Sequence, residues 1–145
     1  MEIRKALSKE DFIKCWEAVQ QLRPRLTLDE YLVMSLYMKD EGYKLIYTEE
    51  QEKVMAFCGY RFQTMMHYGR SIYIDDVFTL PHAKNHTTAL LNYVLEQAKS
   101  ADVQSIHLDS NHRRSEAHRM YMNNGFKIAA HHFVLQLKTT EENFG

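Results

Sequence analysis

The chain has 145 residues, a net charge of −1 and a hydrophobic content of 45%. This length is typical of one domain with a substantial buried core, so we expect a single domain over residues 1–145. The near-neutral charge argues against nucleic-acid or acidic-membrane partners. The sequence opens with no apolar targeting segment and contains no run long enough to span a membrane, which favours a cytoplasmic location.

The first part of the chain predicts a short strand followed by two helices. Met1–Lys5 has the composition of a strand. A capping-box pattern then begins at Ser8, and apolar residues recur at helical spacing until Pro24 stops the helix. A second capping box begins at Thr27, and its helix is expected to end at Gly42.

The middle of the chain predicts a hairpin and then a crossover between parallel strands. Four segments have the composition of strands: Tyr43–Tyr47, Val54–Tyr60, Ser71–Leu80 and Ile106–Asp109. The last two enclose a helix that is expected to begin at Thr87 or Thr88. A strand, a helix and a strand in this order imply a right-handed parallel crossover.

The last part of the chain predicts one more helix and two closing strands. Ser115–Asn123 has an apolar helix face, and Phe126–Ala130 and Phe133–Leu137 have the composition of strands. The complete order predicts an α/β (α+β) fold. We expect a mixed, mostly antiparallel sheet with a central parallel β-α-β crossover and helices on both faces.

Cysteine and histidine residues give no sign of a disulfide, a metal site or a hydrolase. Cys15 and Cys58 stand in apolar surroundings and are expected to be reduced core thiols. The eight histidines form no ligand spacing with cysteine or acidic residues, so we expect no metal. No Ser/His/Asp order with a nucleophile elbow is present.

An ordered set of short motifs covers nearly the whole chain. It comprises Leu22–Leu26, Glu41–Tyr43, Tyr73–Val77, Leu108–Ser110, Ala117–Tyr121, Gly125–Phe126 and His132–Phe133. Together these motifs resemble those of the GNAT superfamily of N-acetyltransferases. The resemblance implies direct transfer of an acetyl group from acetyl-coenzyme A (acetyl-CoA) to a small-molecule or peptide amine. The methionine- and aromatic-rich segment 63–70 could shape the acceptor pocket or form a homodimer contact.

Acetyl transfer needs a neutral amine, a proton acceptor, a donor to the thioester oxygen and an acid for the leaving thiolate. Asp75 and Asp76 are adjacent on a predicted strand, so they are expected to face opposite sides, with only one of them toward the acceptor. The resemblance places Asp75 where related enzymes hold a carboxylate base, although Asp75 could instead bind a cationic substrate. Tyr121 matches the family's general acid, and its alternative is a core tyrosine.

The resemblance also implies a set of contacts to the coenzyme. Main-chain groups of Val77, Phe78 and Thr79 are expected to pair with the pantetheine arm as an added strand would. Arg114 and Ala117 stand at the start of the family's second cofactor motif. Arg114 is expected to contact coenzyme phosphates, although it could equally lie on a solvated helix face.

The segment that matches the family's pyrophosphate loop has no glycine. It consists of Lys84, Asn85, His86, Thr87 and Thr88, and it is shorter than the family pattern. A helix N-terminus here could still hold the phosphates, helped by the Lys84 ammonium and the threonine hydroxyls. Alternatively the turn is too tight and coenzyme binding is weak or lost. The chain would then be a non-catalytic binding or regulatory module with the same fold.

Overall fold

A computed structural model describes residues 1–111 and 113–138 of the chain. The chain divides into two compact units, Met1–Leu108 and a second one that begins at Asp109. The first unit holds a five-stranded sheet and four helices, and the described residues of the second form one helix. Among the helices of the described residues, none is long and apolar enough to cross a bilayer.

The sheet is mixed and its strand order follows the chain. Its strands are β1 (Arg4–Ala6), β2 (Lys44–Glu50), β3 (Lys53–Met65), β4 (Gly69–Thr79) and β5 (Ser105–Leu108). The helices are α1 (Lys9–Lys14), α2 (Trp16–Leu22), α3 (Leu28–Asp40), α4 (Lys84–Ser100) and α5 (Ser115–Asn123). Strands β1 to β4 pair antiparallel, while β4 and β5 pair parallel across α4. The predicted α/β fold with a parallel crossover is confirmed.

Both predicted capping boxes are present in the amino-terminal helices. The Ser8 and Thr27 side chains each accept the backbone N–H three residues ahead. The helix expected to run unbroken up to Pro24 is instead two helices, because Cys15 ends α1 and also begins α2. Gly42 ends α3 with a φ of +92°, a conformation that costs glycine little.

The sheet carries an apolar core on each face. Alternate strand residues point in opposite directions, so Leu45 and Tyr47 join a cluster with α1 to α3, while Ile46 joins one with α4. Helices therefore cover both faces, as predicted. Cys15 and Cys58 lie in these cores and are unpaired. Burial raises the pKa of the Cys15 thiol to about 12, so this thiol stays protonated at neutral pH.

The helix after β4 begins three or four residues earlier than predicted, at Lys84 rather than at Thr87 or Thr88. A tight turn makes this possible, in which the Ala83 N–H donates to the Leu80 carbonyl at 3.1 Å. Pro81 is the second residue of the turn, and His82, the third, has a φ of +67°. A positive φ at that position ordinarily requires glycine, and here histidine adopts it.

The second unit confirms the last helix but not the closing strands. Helix α5 has the predicted bounds, and the Phe126 N–H donates to the Tyr121 carbonyl around Gly125, which has a φ of +91°. The prediction of strands over Phe126–Ala130 and Phe133–Leu137 is wrong. A segment with the composition of a strand forms one only where a neighbouring strand supplies hydrogen bonds, and residues 113–138 contain no such ladder.

Candidate active site

A β-bulge on β4 brings two carboxylates to the same side of the sheet. In the pairing of β3 with β4, Gly59 lies opposite Asp76 while Tyr60 lies opposite Ile74, so Asp75 is an extra residue. The extra residue interrupts the alternation of side chains. The expectation that Asp75 and Asp76 face opposite sides is therefore wrong, and Arg61 and Tyr43 connect the two carboxylates in one cluster.

Asp75 is held by Arg61 of β3 through two parallel hydrogen bonds. The Arg61 Nε donates to Oδ1 at 3.0 Å and the Nη2 donates to Oδ2 at 2.7 Å. Burial raises the pKa of the Asp75 carboxyl, and the Arg61 hydrogen bonds partly oppose that rise. Because this bidentate geometry is the strong form of the ion pair, Asp75 is fixed in orientation.

Asp76 accepts hydrogen bonds from Tyr43, which directly precedes β2, and from Arg23, which follows α2. The Tyr43 hydroxyl donates to Oδ2 at 2.8 Å, and the Arg23 Nη2 donates to Oδ1 at 3.1 Å. Burial, together with the Asp76 charge, raises the pKa of Tyr43 well above its ordinary value, so the phenol remains a donor. The Arg61 guanidinium lies 5.6 Å from the centre of the Tyr43 ring and thereby joins the two carboxylate sites.

Gly59 leaves the space that Tyr43 needs to reach Asp76. A Cβ atom on Gly59 would lie 1.7 Å from the Tyr43 hydroxyl oxygen. Sequence reasoning missed this cluster of Arg23, Tyr43, Gly59 and Arg61. One signal could have indicated it, because a single glycine inside an apolar strand marks a bulge or a close approach.

Beyond the bulge, β4 has an open edge. Its pairing with β5 ends at Ile74 and Leu108, whereas its pairing with β3 continues to Thr79. The Leu80 N–H donates to the Met55 carbonyl of β3 at 2.9 Å, so strand alternation directs the main-chain groups of Val77 and Thr79 to the other edge. Among the described residues no strand pairs with that edge. Phe78, between them, stacks its ring on Phe57 at 5.7 Å.

Helix α4 follows this edge and begins without a side-chain cap. Within the described ranges, the Lys84 and Asn85 N–H groups have no hydrogen-bond partner. The first turn carries Lys84 and no acidic residue. Uncapped N–H groups, the helix dipole and an ammonium group together make this end of the helix positive.

The side chains of the predicted pyrophosphate segment divide into an inner and an outer set. The His86 imidazole is buried, with Nδ1 2.8 Å from the Thr48 hydroxyl and Nε2 3.0 Å from Glu50 Oε1. The Thr87 hydroxyl is buried as well, and it has no partner in the part of the chain that the structure describes. The side chains of Lys84, Asn85 and Thr88 are exposed.

The remaining predicted residues lie on α5, in the second unit. Arg114 is the N-cap residue and is exposed. Ala117 and Tyr121 are half-buried on the same face of the helix. The Tyr121 ring packs edge-on against Phe126, with ring centres 5.9 Å apart.

The chain is similar to known proteins over most of its length. The sequence model of the Acetyltransferase (GNAT) family matches residues 6–126. The chain belongs to this family. An uncharacterized N-acetyltransferase of Bacillus subtilis strain 168, YhdJ, is 27% identical over 137 residues, which covers 92% of this chain and 96% of that protein. The GNAT resemblance of the sequence motifs is confirmed.

Solved structures show the same fold at low sequence identity. A putative acetyltransferase from Agrobacterium tumefaciens strain C58 has a TM-score of 0.79 at 19% identity, covering 94% of this chain and 99% of the other. An aminoglycoside N-acetyltransferase, AAC(6')-Iy, solved in complex with CoA, has a TM-score of 0.80 at 12% identity and covers 95% of both chains. The chain therefore has the GNAT fold, in a family of acetyltransferases.

Proposed function

We propose that this GNAT protein transfers an acetyl group from acetyl-CoA to a primary amine by direct attack within a ternary complex. The open edge of β4 carries the proposal, because it leads through one turn to the uncapped start of α4. An extended amide chain can pair with a strand edge, and a pyrophosphate suits a helix N-terminus. The fold neighbour solved with CoA supports the same donor class.

For the pantetheine arm, the proposal uses main-chain groups. Val77 and Thr79 would exchange hydrogen bonds with the amides of the arm, while Phe78 shapes the strand between them. One of these N–H groups would also donate to the thioester oxygen as it gains charge. Their side chains are not required to touch the coenzyme, which agrees with the packing of Phe78 on Phe57.

For the pyrophosphate, the proposal uses the free N–H groups of Lys84 and Asn85 together with the Lys84 ammonium. Thr88 is exposed and can contribute a hydroxyl, whereas His86 and Thr87 can contribute only through the backbone because their side chains are buried. The glycine-free sequence is compatible with this role, since the turn obtains its positive φ from His82. This favours the enzyme over the non-catalytic module.

For the chemistry, Asp75 assists the amine and Tyr121 protonates the departing thiolate. A carboxylate has about four acceptor sites, so Asp75 can accept an amine N–H while Arg61 holds it. A phenol is protonated at neutral pH and can serve as the acid. By family resemblance, Arg114 contacts the coenzyme phosphates and Ala117 lies beside the coenzyme. The small-molecule or peptide class of the amine, a homodimer contact and a cytoplasmic location stay predictions from the sequence.

Thiol release from acetyl-CoA across a panel of amines tests the proposal. We expect amine-dependent release by the wild-type protein. Tyr121→Phe should lower kcat while the coenzyme-induced rise in Tm is retained. Equal turnover by this variant would remove Tyr121 from the mechanism. If saturating acetyl-CoA and CoA give no rise in Tm and no amine gives thiol release, the non-catalytic module becomes the better explanation.

A further inference from the structure

A row of polar side chains crosses three strands beside the bulge. Arg61 of β3 pairs with Tyr73 of β4, and Tyr73 pairs with His107 of β5. The residues on either side of Tyr73 and His107 pack into the core on the α4 face: Ile72, Ile74, Ile106 and Leu108. Because strand side chains alternate, this row lies on the opposite face, the one that carries Asp75.

The carboxylates on this face are already engaged. Both oxygens of Asp75 accept from Arg61, and the two oxygens of Asp76 accept from Tyr43 and Arg23. A carboxylate in a bidentate ion pair can still orient an N–H group, but taking a proton would weaken that pair. A separate proton acceptor would leave the ion pairs intact during the reaction.

His107 has the geometry of such an acceptor. Its Nε2 lies 2.8 Å from the Ser105 hydroxyl, and its ring packs edge-on against Tyr68 with centres 4.3 Å apart. These two contacts fix the ring. Nδ1 has no hydrogen-bond partner among the residues that the structure describes. When Nε2–H donates to Ser105, the Nδ1 lone pair is available to accept a proton.

We propose that Nδ1 of His107 accepts the proton of the acceptor amine that Asp75 orients, an inference that rests on the proposed function. Asp75 lies two residues along β4 from Tyr73, the pairing partner of His107. Strand spacing then places the Cα atoms of Asp75 and His107 about 8 Å apart. This distance leaves room for one amine nitrogen between the two side chains.

The proposed step balances as follows. The acceptor ammonium gives one proton to Nδ1, which passes it to solvent, and the neutral amine attacks the thioester carbon. The new C–N bond forms, the C–S bond breaks, and the electron pair of the C–S bond stays on sulfur. The second N–H proton leaves the nitrogen for solvent, while Tyr121 protonates the sulfur and regains one proton from solvent, so the products are an amide, a thiol and one free proton.

Kinetics of His107 variants test the inference, with an acceptor identified in the amine panel. We expect His107→Ala and His107→Gln to lower kcat by about 100-fold, as removal of a general base does, with KM for acetyl-CoA and the coenzyme-induced rise in Tm unchanged. Added imidazole should restore part of the activity of His107→Ala. Added imidazole should restore less activity to His107→Gln, because the glutamine side chain occupies the space that imidazole would fill. His131→Ala, an exposed histidine outside the sheet, serves as the matched control and should retain wild-type kcat.

Three results separate the possible failures. If the wild type is active and His107→Ala keeps kcat within about threefold, the inference is wrong and the proposed function stands. Loss of activity without rescue by imidazole also overturns it, since a positioning defect is not repaired by a free base. If the wild type releases no thiol with any amine, the proposed function itself fails.

Discussion

Substitution of Gly59 by alanine tests the arrangement around the two carboxylates most sharply. The added methyl group would lie 1.7 Å from the Tyr43 hydroxyl oxygen and 2.3 Å from Cζ of its ring. Tyr43 must therefore move, and it loses both the 2.8 Å hydrogen bond to Asp76 and its place beneath Arg61. Elsewhere in a strand a change from glycine to alanine should be mildly stabilising, because glycine loses more conformational freedom than alanine when the chain folds.

The expected loss follows from these contacts. Overpacking costs about 1–3 kcal/mol, and loss of a hydrogen bond to a charged group costs about 1.5–3 kcal/mol. The intrinsic gain of alanine over glycine offsets about 0.5–1 kcal/mol. We therefore expect Gly59→Ala to lower the free energy of unfolding by about 3 kcal/mol, which corresponds to a Tm lower by roughly 10 °C.

Urea denaturation of a double-mutant cycle measures the effect. In a Tyr43→Ala background the steric conflict is absent, so Gly59→Ala should be neutral or stabilising by about 0.5–1 kcal/mol. In a Tyr43→Phe background most of the cost should remain, because the ring still occupies the space. A cost below about 0.5 kcal/mol in the wild type, or an equal cost in the Tyr43→Ala background, would refute the reasoning.

Three further predictions concern groups whose hydrogen bonding is unusual. His86→Phe should lower the free energy of unfolding by about 2–4 kcal/mol, since it leaves the buried Thr48 hydroxyl unpaired; a loss below about 0.5 kcal/mol in urea would contradict the contact. Thr87→Val should raise the free energy of unfolding by about 1 kcal/mol, because it removes a buried hydroxyl without a described partner. The matched variant Thr48→Val should lower the free energy of unfolding, and a lower value for Thr87→Val would show that the Thr87 hydroxyl has a partner. Hydrogen bonds from the Ser8 and Leu7 N–H groups lower the pKa of Asp11 in the folded protein from its ordinary value of 3.8. The ionised Asp11 carboxylate therefore stabilises the fold fully above the unfolded-state pKa, and this stabilisation is lost as the pH falls through the folded-state pKa. Asp11→Asn should therefore flatten the fall in stability below about pH 4, and an unchanged slope would contradict this origin.

Signals within a few residues predicted much of the fold correctly. Ser8 and Thr27 indicated capping boxes, and Gly42 indicated a helix end, because each acts on the adjacent backbone. Helix α5 has the bounds that its apolar face predicted. The start of α4 was misplaced, since the turn obtains its positive φ from His82 and contains no glycine that would have marked it in the sequence.

Features that depend on distant pairing could not be predicted in the same way. The bulge at Asp75 is set by the register between β3 and β4, and the Tyr43–Asp76 hydrogen bond joins residues 33 positions apart. The composition of Phe126–Ala130 and Phe133–Leu137 indicated strands, although a strand also needs a partner that composition does not specify. The side chains of Lys84–Thr88 divide between surface and core according to the phase of α4, which was not known from the sequence.

Amide hydrogen exchange on β4 tests most directly whether its open edge is the coenzyme site. In the free protein, Val77 and Thr79 should exchange faster than Phe78, whose N–H the strand alternation directs toward β3. Saturating CoA should slow exchange at Val77 and Thr79 and at the uncapped Lys84 and Asn85 amides. Unchanged exchange at these four amides under saturating CoA would contradict the proposed binding mode.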